Sequence, residues 1–320
     1  MEKQEEKNNH QNDNLIKIKF MNKDLSVIIV SYNTSELTFK CVKSLVSSLE
    51  KEKNISFEVI VVDNGSEDGT VDRLKKIAIE KDRFLIIENK KNLGYAKANN
   101  LGIKKASGKF ILFLNSDVLI SDINWKILLD FLEKNEKIGA LTVRVNLESK
   151  DIDPACHRGL PTLWRSFCYF VCLERFFASF PFLNRIFGGY HLIHLDLGKI
   201  HEVEAISGAF FLTRKEILSR LKGFDEDFFM YGEDLDLCLR IRKIGYKIIY
   251  YPLFSVLHLK YKSGLGKKNK EVKRRTSYYF YQAMKIFYQK HYEKRYPFFI
   301  NFFVYLFLDR KIRLYEKNRY

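Results

Sequence analysis

The fold is decided by the stretch LSVIIVSYN, residues 25–33, in which an apolar run ends in polar side chains. Four more apolar runs of strand length follow it, at residues 57–62, 84–88, 110–114 and 140–145. Helical patterns separate these runs, and this alternation is typical of a mixed, mainly parallel α/β sheet. Because the runs are continuously apolar, we expect flanking helices to bury the strands on both faces.

Helices are predicted wherever apolar residues recur at helical spacing between these runs. The first begins with a capping box of Asn33 and Glu36, and a later one begins near Asp122 as its N-cap. The other predicted elements are helices at 71–78, 94–106, 215–221 and 234–243, regular structure at 203–212, and a strand at 246–251 that ends at Pro252. Gly223 and Gly245 are the expected stops of the last two helices.

The composition is that of a globular protein: 320 residues, of which 46% are apolar and 29% charged. The five cysteines are an odd number and contain no Cys-x-x-Cys pair, so a disulfide framework and a zinc knuckle are both disfavoured and a reducing cytosol fits best. Residues 1–24 are polar and are interpreted as a disordered leader, not a secretory signal. The uncharged run at 297–308 is too short to cross a bilayer as a helix.

Three segments are distinguished by their patterns. The α/β alternation occupies residues 25–259, and residues 146–200 interrupt it with prolines and aromatic clusters, which we interpret as a helical insertion. Residues 260–320 form a basic, aromatic and helical C-terminal extension. This extension holds 17 Lys+Arg against 4 Asp+Glu, and 17 of the 47 aromatic residues, so most of the net charge of +16 lies there.

The extension combines basic and aromatic residues, which favours an anionic membrane surface as its partner. Nucleic acid is not expected, because no recognised nucleic-acid module accompanies the charge. The alternative is that residues 260–320 pack on the sheet or form a contact within a homo-oligomer.

Polar residues follow each of the first four predicted strands, at 31–33, 63–66, 92–94 and 115–117. Helix capping and turn formation favour such residues at any single strand end. Four in succession favour a shared ligand, because ligands of open α/β sheets bind beyond the carboxyl ends of the strands. The sequence has neither G-x-G-x-x-G nor a P-loop, so a dinucleotide fold and a P-loop site are not indicated.

Two aspartates at these strand ends are candidates for ligand contacts. Asp63 is suited to accept hydrogen bonds from a base or a ribose, although Asp-Asn-Gly-Ser is also a good turn sequence. Asp117 ends the most apolar strand, where an unpaired carboxylate is costly, and Mg²⁺ or Mn²⁺ shared with a diphosphate would compensate it. His258 is a candidate further ligand, with a structural role as the alternative. Gly94 allows close approach and opens a helix whose free N–H groups suit an anion.

A second acidic cluster lies at the start of the predicted helix near residue 233. Glu233 and Asp234 fall in its first turn, a favourable place for carboxylates on dipole grounds alone. The functional alternative is a general base that deprotonates a hydroxyl. His191, His194 and His201 lack the spacing of a familiar zinc site and are interpreted as part of an acceptor loop.

Five motifs, taken in order, resemble those of the family 2 glycosyltransferases. Within that family, the sequence is most similar to the rhamnosyltransferase group. The motifs are VIIVSYN (27–33), VVDNGSxDGT (61–70), NLGYAxANNxG (92–102), LNSD (114–117) and GEDLDLCLR (232–240). The resemblance implies a GT-A fold of Rossmann-like α/β type, with a nucleotide-binding half at 25–145 and an acceptor and catalytic half at 201–259. It also implies inverting transfer of a sugar from a nucleoside diphosphate sugar to an acceptor hydroxyl.

Site roles are carried over from the family by position. The residues that would line the nucleoside and phosphates are Ser31, Tyr32, Asn33, Asn92, Gly94, Asn99 and Asn115, with Asp63 on the base. The resemblance implies that Asp117 binds the metal and that His258 joins its shell, as a histidine does in some relatives. Asp234 matches the catalytic base, while the acceptor side comprises Ser207, Gly208, Ala209 and Glu233. The family's metal motif is often Asp-x-Asp, and its first position is Asn115 here, so strict metal dependence does not follow.

The resemblance implies a glycan or lipid-linked glycan as acceptor, in cell-surface polysaccharide synthesis, and a cytoplasmic location, peripheral on the inner face of the membrane. One rival is a nucleotidyltransferase, which also holds Mg²⁺ with acidic residues at a sheet edge but needs a Gly-rich basic loop that residues 31–35 do not provide. The non-enzyme rival is a silent protein that binds sugar nucleotides or lipid surfaces.

Overall fold

The structure is a computed structural model, and it describes residues 23–78, 83–177, 179–192, 194–260 and 270–316. Its strands are β1 (Leu25–Ser31), β2 (Phe57–Asp63), β3 (Phe84–Glu88), β4 (Phe110–Asn115), β5 (Val118–Asp122), β6 (Ile138–Leu147), β7 (His201–Val203), β8 (Phe210–Arg214) and β9 (Lys247–His258). Within the described residues they form one sheet in the order β3-β2-β1-β4-β8-β6-β9-β5, and β7 pairs with β9.

Helices flank this sheet and extend beyond it. They are α1 (Ser35–Leu49), α2 (Thr70–Ala78), α3 (Tyr95–Lys105), α4 (Trp125–Lys134), α5 (Leu163–Phe170), α6 (Leu173–Phe176), α7 (Pro181–Phe187), α8 (Lys215–Leu221), α9 (Glu233–Lys243), α10 (Lys270–His291) and α11 (Phe298–Glu316). Short 3-10 turns lie at Pro154–Cys156 and Glu293–Arg295. Helix α3 packs on β1 and β2, while α9 packs on β6 and β9.

The N-terminal half of the sheet is parallel, as the alternation of strands and helices predicts. Strand β1 lies between β2 and β4, and its central residues Val27, Ile28 and Ile29 have no exposed surface. The register pairs Ser31 with Asp63 and Val30 with Asn115, so the polar ends of three strands lie side by side. The predicted mixed α/β sheet with flanking helices is confirmed.

The C-terminal half of the sheet is mixed. Strand β8 runs antiparallel to both β4 and β6, whereas β9 runs parallel to β6. The prediction that the last strand ends at Pro252 is wrong, because β9 continues to His258. Its pairing with β6 jumps from Tyr251 to Ser255, so the proline, which has no N–H to donate, lies in an irregularity of the ladder.

Strand β5 and two helix starts correct the sequence prediction. Residues 118–122 pair with β9, so Asp122 ends a strand and Asn124 caps α4 by accepting the N–H of Ile127 at 2.9 Å. The capping box at α1 does not form, because Thr34 is the N-cap. Asn33 instead accepts the N–H of Glu67 at 2.8 Å across the adjacent loop.

The insertion and the extension both contain helices, α5 to α7 and α10 to α11 respectively. Helix α10 packs on the α/β body, because His291 Nε2 lies 2.7 Å from Asp236 Oδ1 and the Tyr279 ring stacks on Phe229 at 4.5 Å. Helix α11 packs on α10, where Lys285 binds Asp309 at 2.7 Å. No helix in the described ranges is both long and apolar enough to cross a bilayer.

Candidate active site

Asp63 lies at the carboxyl end of β2 and is only 2% exposed. Its Oδ2 accepts the backbone N–H of Ser66 at 2.9 Å, which closes the turn that the sequence predicts. Its Oδ1 is buried and has no hydrogen-bond partner among the described residues. A buried carboxylate oxygen without a donor is costly, so this position suits a ligand that brings an N–H or O–H group.

Ser31 lies at the end of β1 and takes part in a buried cluster of hydroxyl groups. Its Oγ lies 2.8 Å from Thr38 Oγ1 and 3.2 Å from Thr34 Oγ1, and Thr34 is 3.3 Å from Ser116 Oγ. Ser31 has no exposed surface, so it supports the loop from inside, which differs from the direct donor contact predicted for its side chain. Tyr32 is half-buried and Asn33 is exposed on the same loop.

Asn92 and Gly94 shape the entry to α3. The Asn92 side chain accepts the N–H of Gly94 and a hydrogen bond from Asn64, each at 2.9 Å. Gly94 has φ of +87°, and a Cβ there would lie 2.6 Å from the carbonyl oxygen of Phe229. That carbonyl also accepts the N–H of Tyr95 at 2.7 Å. The prediction that the start of this helix offers free N–H groups is therefore wrong for these two positions, whose N–H groups bind within the chain.

The Tyr95 hydroxyl is the point at which the nucleotide-side and acceptor-side elements meet. It lies 3.1 Å from Asn115 Oδ1 and 3.4 Å from the carbonyl oxygen of Gly208. Burial raises the pKa of Tyr95 above its ordinary value, and the negative charges of Glu233, Asp234 and Asp117 raise it further. Three carboxylates from two distant stretches of sequence, one at residue 117 and two at residues 233–234, thus act on one hydroxyl. Sequence analysis placed Tyr95 within a motif but gave it no role of its own.

Asn99 and Asn100 lie in α3 and are buried. Asn99 donates to the carbonyl of Tyr95 at 3.0 Å, while its Oδ1 has no partner in the part of the chain that the structure describes. Asn100 binds both the N–H and the carbonyl of Phe224, each at 2.9 Å. Asn100 therefore fixes the loop that precedes α9, a role that sequence analysis did not assign.

Residues 207–209, which are predicted to lie on the acceptor side, lie beside Asn115. Ala209 accepts the backbone N–H of Asn115 at 3.3 Å, and a Cβ on Gly208 would lie 2.9 Å from the Tyr95 hydroxyl oxygen. The Ser207 hydroxyl is buried and unpartnered within the described ranges. Glycine is thus required where this segment meets Tyr95, and a hydroxyl remains for a bound group.

Asp117 and His258 face each other across β5 and β9. His258 Nε2 lies 3.1 Å from Asp117 Oδ1, and its Nδ1 lies 3.2 Å from Asp153 Oδ2. Burial lowers the pKa of His258, but hydrogen bonds to the two carboxylates outweigh this and raise it to about 9. Lys260 binds the other oxygen of Asp153 at 2.8 Å. Asp153, which sequence analysis missed, has a pKa well below its usual range, because the bonds from His258 and Lys260 outweigh its burial.

Asp117 offers a divalent metal an oxygen ligand, and His258 offers a nitrogen ligand once it loses the Nε2 proton that it shares with Asp117. Among the residues that the structure describes, no three His, Cys, Asp or Glu side chains converge as a complete metal site. Asn115 Oδ1 already accepts the Tyr95 hydroxyl. The chain therefore fits an ion such as Mg²⁺ or Mn²⁺ whose other ligands are substrate phosphates and water. Asp153 would then orient His258, as carboxylates commonly orient metal-binding histidines.

Asp234 begins α9 together with Glu233, after Gly232 at φ of +79°. Its Oδ2 lies 2.7 Å from a guanidinium nitrogen of Arg158, and both side chains are nearly buried. Glu233 Oε2 is buried without a partner among the described residues. Burial and the charge of Asp234 raise the pKa of Glu233 to about 8, so Glu233 is mostly protonated at neutral pH. Sequence analysis missed Arg158, which comes from the insertion.

Two of the three histidines of the insertion region have hydrogen-bond partners, and these partners differ. His191 Nδ1 lies 3.1 Å from Glu174 Oε2, whereas His201 Nδ1 lies 2.9 Å from the carbonyl of Lys199. His194 Nδ1 is buried with no partner in the described chain. The acceptor-loop role predicted for them stays a prediction.

Two family models match the chain, Glycosyl transferase family 2 over residues 26–183 and Glycosyl transferase family group 2 over residues 173–314. An uncharacterized glycosyltransferase of Rickettsia conorii is 38% identical over 138 residues, which is 42% of this chain but only 22% of that protein. N-acetylglucosaminyl-diphospho-decaprenol L-rhamnosyltransferase of Mycobacterium tuberculosis is 29% identical over 248 residues, 74% of this chain and 76% of the relative. Rhamnosyltransferase WbbL of Escherichia coli is 25% identical over 230 residues, which is 62% of this chain and 82% of that protein.

Solved structures share the fold at low sequence identity. TarS 1-349 of S. aureus aligns with a TM-score of 0.52 and 17% identity, over 82% of this chain and 64% of that one. The mannosyltransferase PcManGT of Pyrobaculum calidifontis aligns with a TM-score of 0.50 and 18% identity, over 82% and 63%. These likenesses confirm the GT-A type of fold. With the two family models and the rhamnosyltransferase relatives, they show that the chain belongs to the family 2 glycosyltransferases.

Proposed function

We propose that the protein is an inverting glycosyltransferase that moves a sugar from a nucleoside diphosphate sugar to a hydroxyl of a glycan or lipid-linked glycan. The observation that carries the proposal is that the Tyr95 hydroxyl joins Asn115, two residues before Asp117, to Gly208 of the acceptor side, on the sheet edge where Asp63 has an unpartnered carboxylate oxygen among the described residues. Rhamnose is the donor sugar that the relatives named as rhamnosyltransferases favour. A place in cell-surface polysaccharide synthesis is proposed from the resemblance of the five motifs to the family.

The donor is proposed to lie across the ends of β1, β2 and β4. The base or ribose binds the free Oδ1 of Asp63, and the half-buried Tyr32 and the exposed Asn33 lie on the neighbouring loop. The diphosphate lies near Asp117 and His258, which would hold a divalent ion. When bound, that ion supplies positive charge to the departing diphosphate.

Asp234 is proposed as the general base. The ion pair with Arg158 holds its Oδ2, and its carboxylate accepts a proton from the acceptor hydroxyl. The deprotonated oxygen forms a bond to the anomeric carbon as the bond to the diphosphate breaks, and one such displacement inverts the configuration. Glu233 is largely protonated at neutral pH, so it donates a hydrogen bond to the acceptor instead of competing for its proton.

Membrane association is proposed for α11 and not for the whole extension, because α10 packs on the α/β body. Four phenylalanines of α11 are more than half exposed: Phe298, Phe299, Phe302 and Phe303. Exposed Arg310 and Arg313 lie on the same helix and suit anionic headgroups. We therefore propose a cytoplasmic protein that binds peripherally to the inner face of the membrane.

Sedimentation with anionic liposomes tests the membrane proposal. We expect the full chain to co-sediment and a variant with Phe298, Phe299, Phe302 and Phe303 changed to Ser to remain in the supernatant. Equal sedimentation of the two proteins contradicts a role for α11.

The proposed reaction is tested with a panel of labelled nucleoside diphosphate sugars and a separation of products. A glycosyltransferase releases a nucleoside diphosphate and labels an acceptor or water. A nucleotidyltransferase releases inorganic diphosphate from a nucleoside triphosphate, and a silent binding protein releases neither. Thermal shifts with the same panel identify the donor that the chain binds, because selective binding to the folded state stabilises it.

A further inference from the structure

A cavity of about 510 Å³ lies between the insertion, α9 and the turn after α10, and it plays no part in the proposed donor site. Four arginines line it: Arg165, Arg185, Arg242 and Arg295. The aromatic side chains Trp164 and Tyr292 form part of its wall, and Glu204 is its single acidic lining residue.

The cavity carries net positive charge. Glu204 is already satisfied, because it forms a two-pronged ion pair with Arg165 and accepts the N–H of Leu160 at 2.8 Å. Although burial raises the pKa of Glu204, the bond from Arg165 outweighs it and holds the pKa below its usual range. Among the described residues, no ion pair occupies Arg185, Arg242 or Arg295. One guanidinium group can donate two parallel hydrogen bonds to two oxygens of a phosphate, so the cavity suits a phosphate or diphosphate.

The cavity adjoins the acceptor side of the candidate active site. Gly159 follows Arg158, the partner of Asp234, and a Cβ on Gly159 would lie 2.7 Å from a guanidinium nitrogen of Arg165. Leu239 of α9 lines the cavity from the helix that Asp234 begins. An anion held here therefore lies next to the segment that carries Arg158, the partner of the proposed base, while Asp63 and Asp117 are not among the lining residues.

An apolar surface leads away from the same cavity. Trp164 is 49% exposed, and its ring stacks on Phe167 with centroids 6.0 Å apart. Phe170, at the end of the same helix α5, contacts Phe307 of α11 at 5.6 Å. Exposed aromatic side chains thus continue from the wall of the cavity to α11.

We propose that this cavity binds a diphosphate group that carries an apolar chain, with the chain lying on the aromatic surface of α5 and α11. This rests on the proposed function, since the molecule would be a lipid-linked acceptor whose sugar points toward Asp234. The required ligand is amphiphilic, because the arginines select the diphosphate and the aromatic surface selects the chain.

Trp164 provides the readout, because the chain has two tryptophans and the other, Trp125, has no exposed surface. Farnesyl diphosphate is titrated into the full chain while tryptophan emission is followed, with inorganic diphosphate and farnesol as separate probes. The test variant is Arg185→Gln combined with Arg295→Gln, both at exposed positions. The matched control is Arg220→Gln, an exposed arginine of α8 outside the cavity.

We expect saturable binding of farnesyl diphosphate, at least tenfold weaker in the double variant and unchanged in Arg220→Gln. Inorganic diphosphate and farnesol should each bind at least tenfold more weakly than farnesyl diphosphate. The proposal is overturned if the double variant binds farnesyl diphosphate as tightly as the wild type does, or if inorganic diphosphate or farnesol binds as tightly as farnesyl diphosphate. It is also overturned if a nucleoside diphosphate displaces farnesyl diphosphate. Thermal shifts with nucleoside diphosphate sugars on the same samples keep the two proposals apart, because donor binding that persists when farnesyl diphosphate fails leaves the proposed function standing.

Discussion

A guanidinium nitrogen of Arg158 lies 2.7 Å from Oδ2 of Asp234, and both side chains are almost excluded from solvent. Burial lowers the pKa of Arg158, but the charge of Asp234 outweighs this and raises it above its ordinary value. The pair joins the insertion to the start of α9, and the insertion therefore helps to form the candidate active site. Glu233, which precedes Asp234, keeps its proton at neutral pH because burial raises its pKa to about 8.

Asp234→Asn is expected to lower kcat by about 10²–10⁴ while donor affinity stays within about twofold, since a positioned general base contributes on that scale. Initial rates and nucleotide titrations on the same protein measure both quantities. Asp227→Asn is the control, because Asp227 is exposed and contacts only the extension through Lys290 among the ion pairs of the described chain. Turnover by Asp234→Asn at the rate of the control removes Asp234 from the role of base.

Arg158→Gln is expected to destabilise the protein by ~3–5 kcal/mol, because it leaves a buried carboxylate without its ionic partner. The rate of transfer should also fall, because Asp234 loses the ion pair that holds its carboxylate at the start of α9. Denaturant unfolding and initial rates measure the two effects. Arg158→Lys keeps the charge and should recover part of both; full activity in Arg158→Gln contradicts the proposed role of Arg158.

The strands and the polar strand ends were predictable because they are local patterns in the sequence. Asp63 and Asp117 follow continuous apolar runs, and parallel strands bring their carboxyl ends to one edge. Arg158 could not be found in this way, since it lies 76 positions before Asp234 in the sequence and its own neighbourhood has no periodicity. Tyr95 was missed for a related reason, because its importance comes from Asn115 and Gly208, which only the folded sheet brings within reach.

The errors at the strand and helix ends have physical causes. Strand β5 is short and half-exposed, so it lacks the apolar run that identified the others. Pro252 would normally end a strand, but an irregularity in the pairing of β9 with β6 accommodates it. The capping box does not form because the loop at residues 66–68 binds the start of α1 instead. Ser66 Oγ accepts the N–H of Asn33 at 2.9 Å, and Asp68 accepts the N–H of Ser35 at 2.8 Å.

Gly94→Ala is expected to cost ~2–4 kcal/mol of unfolding free energy and to weaken donor binding. The positive φ accounts for about 1–2 kcal/mol, and the approach of a Cβ to the Phe229 carbonyl adds the rest. Gly245→Ala is a matched control, since Gly245 has φ of +92° and nothing lies within 4 Å of its Cβ position. Equal losses in the two variants would show that the contact with Phe229 is unimportant.

Glu233 should make stability depend on pH. Its pKa rises from 4.5 in the unfolded chain to about 8 in the folded one, so its stabilising contribution is complete below pH 4.5 and is lost as pH rises through 8. The free energy of unfolding should therefore fall by up to ~1.4 kcal/mol per pH unit from this group. Denaturant unfolding of wild type and Glu233→Gln between pH 5.0 and 6.5 isolates the effect.

The window below pH 6.5 is chosen because His258, with a pKa raised to about 9, acts in the same direction only above its ordinary value of 6.5. Glu233→Gln should show a flatter profile than wild type across the window. Parallel profiles for the two proteins would mean that Glu233 is ionised in the folded state.

The central claim is that one cleft, bounded by Asp63, Asp117 and Asp234, holds a nucleoside diphosphate sugar. A crystal structure with the nucleoside diphosphate that stabilises the chain most tests it directly. The account predicts the base or ribose within hydrogen-bond distance of Asp63 Oδ1, the diphosphate beside Asp117 and His258, and an open space between the diphosphate and Asp234 for the sugar and the acceptor. A nucleotide bound elsewhere on the chain, with Asp63 Oδ1 still without a partner, would contradict the account.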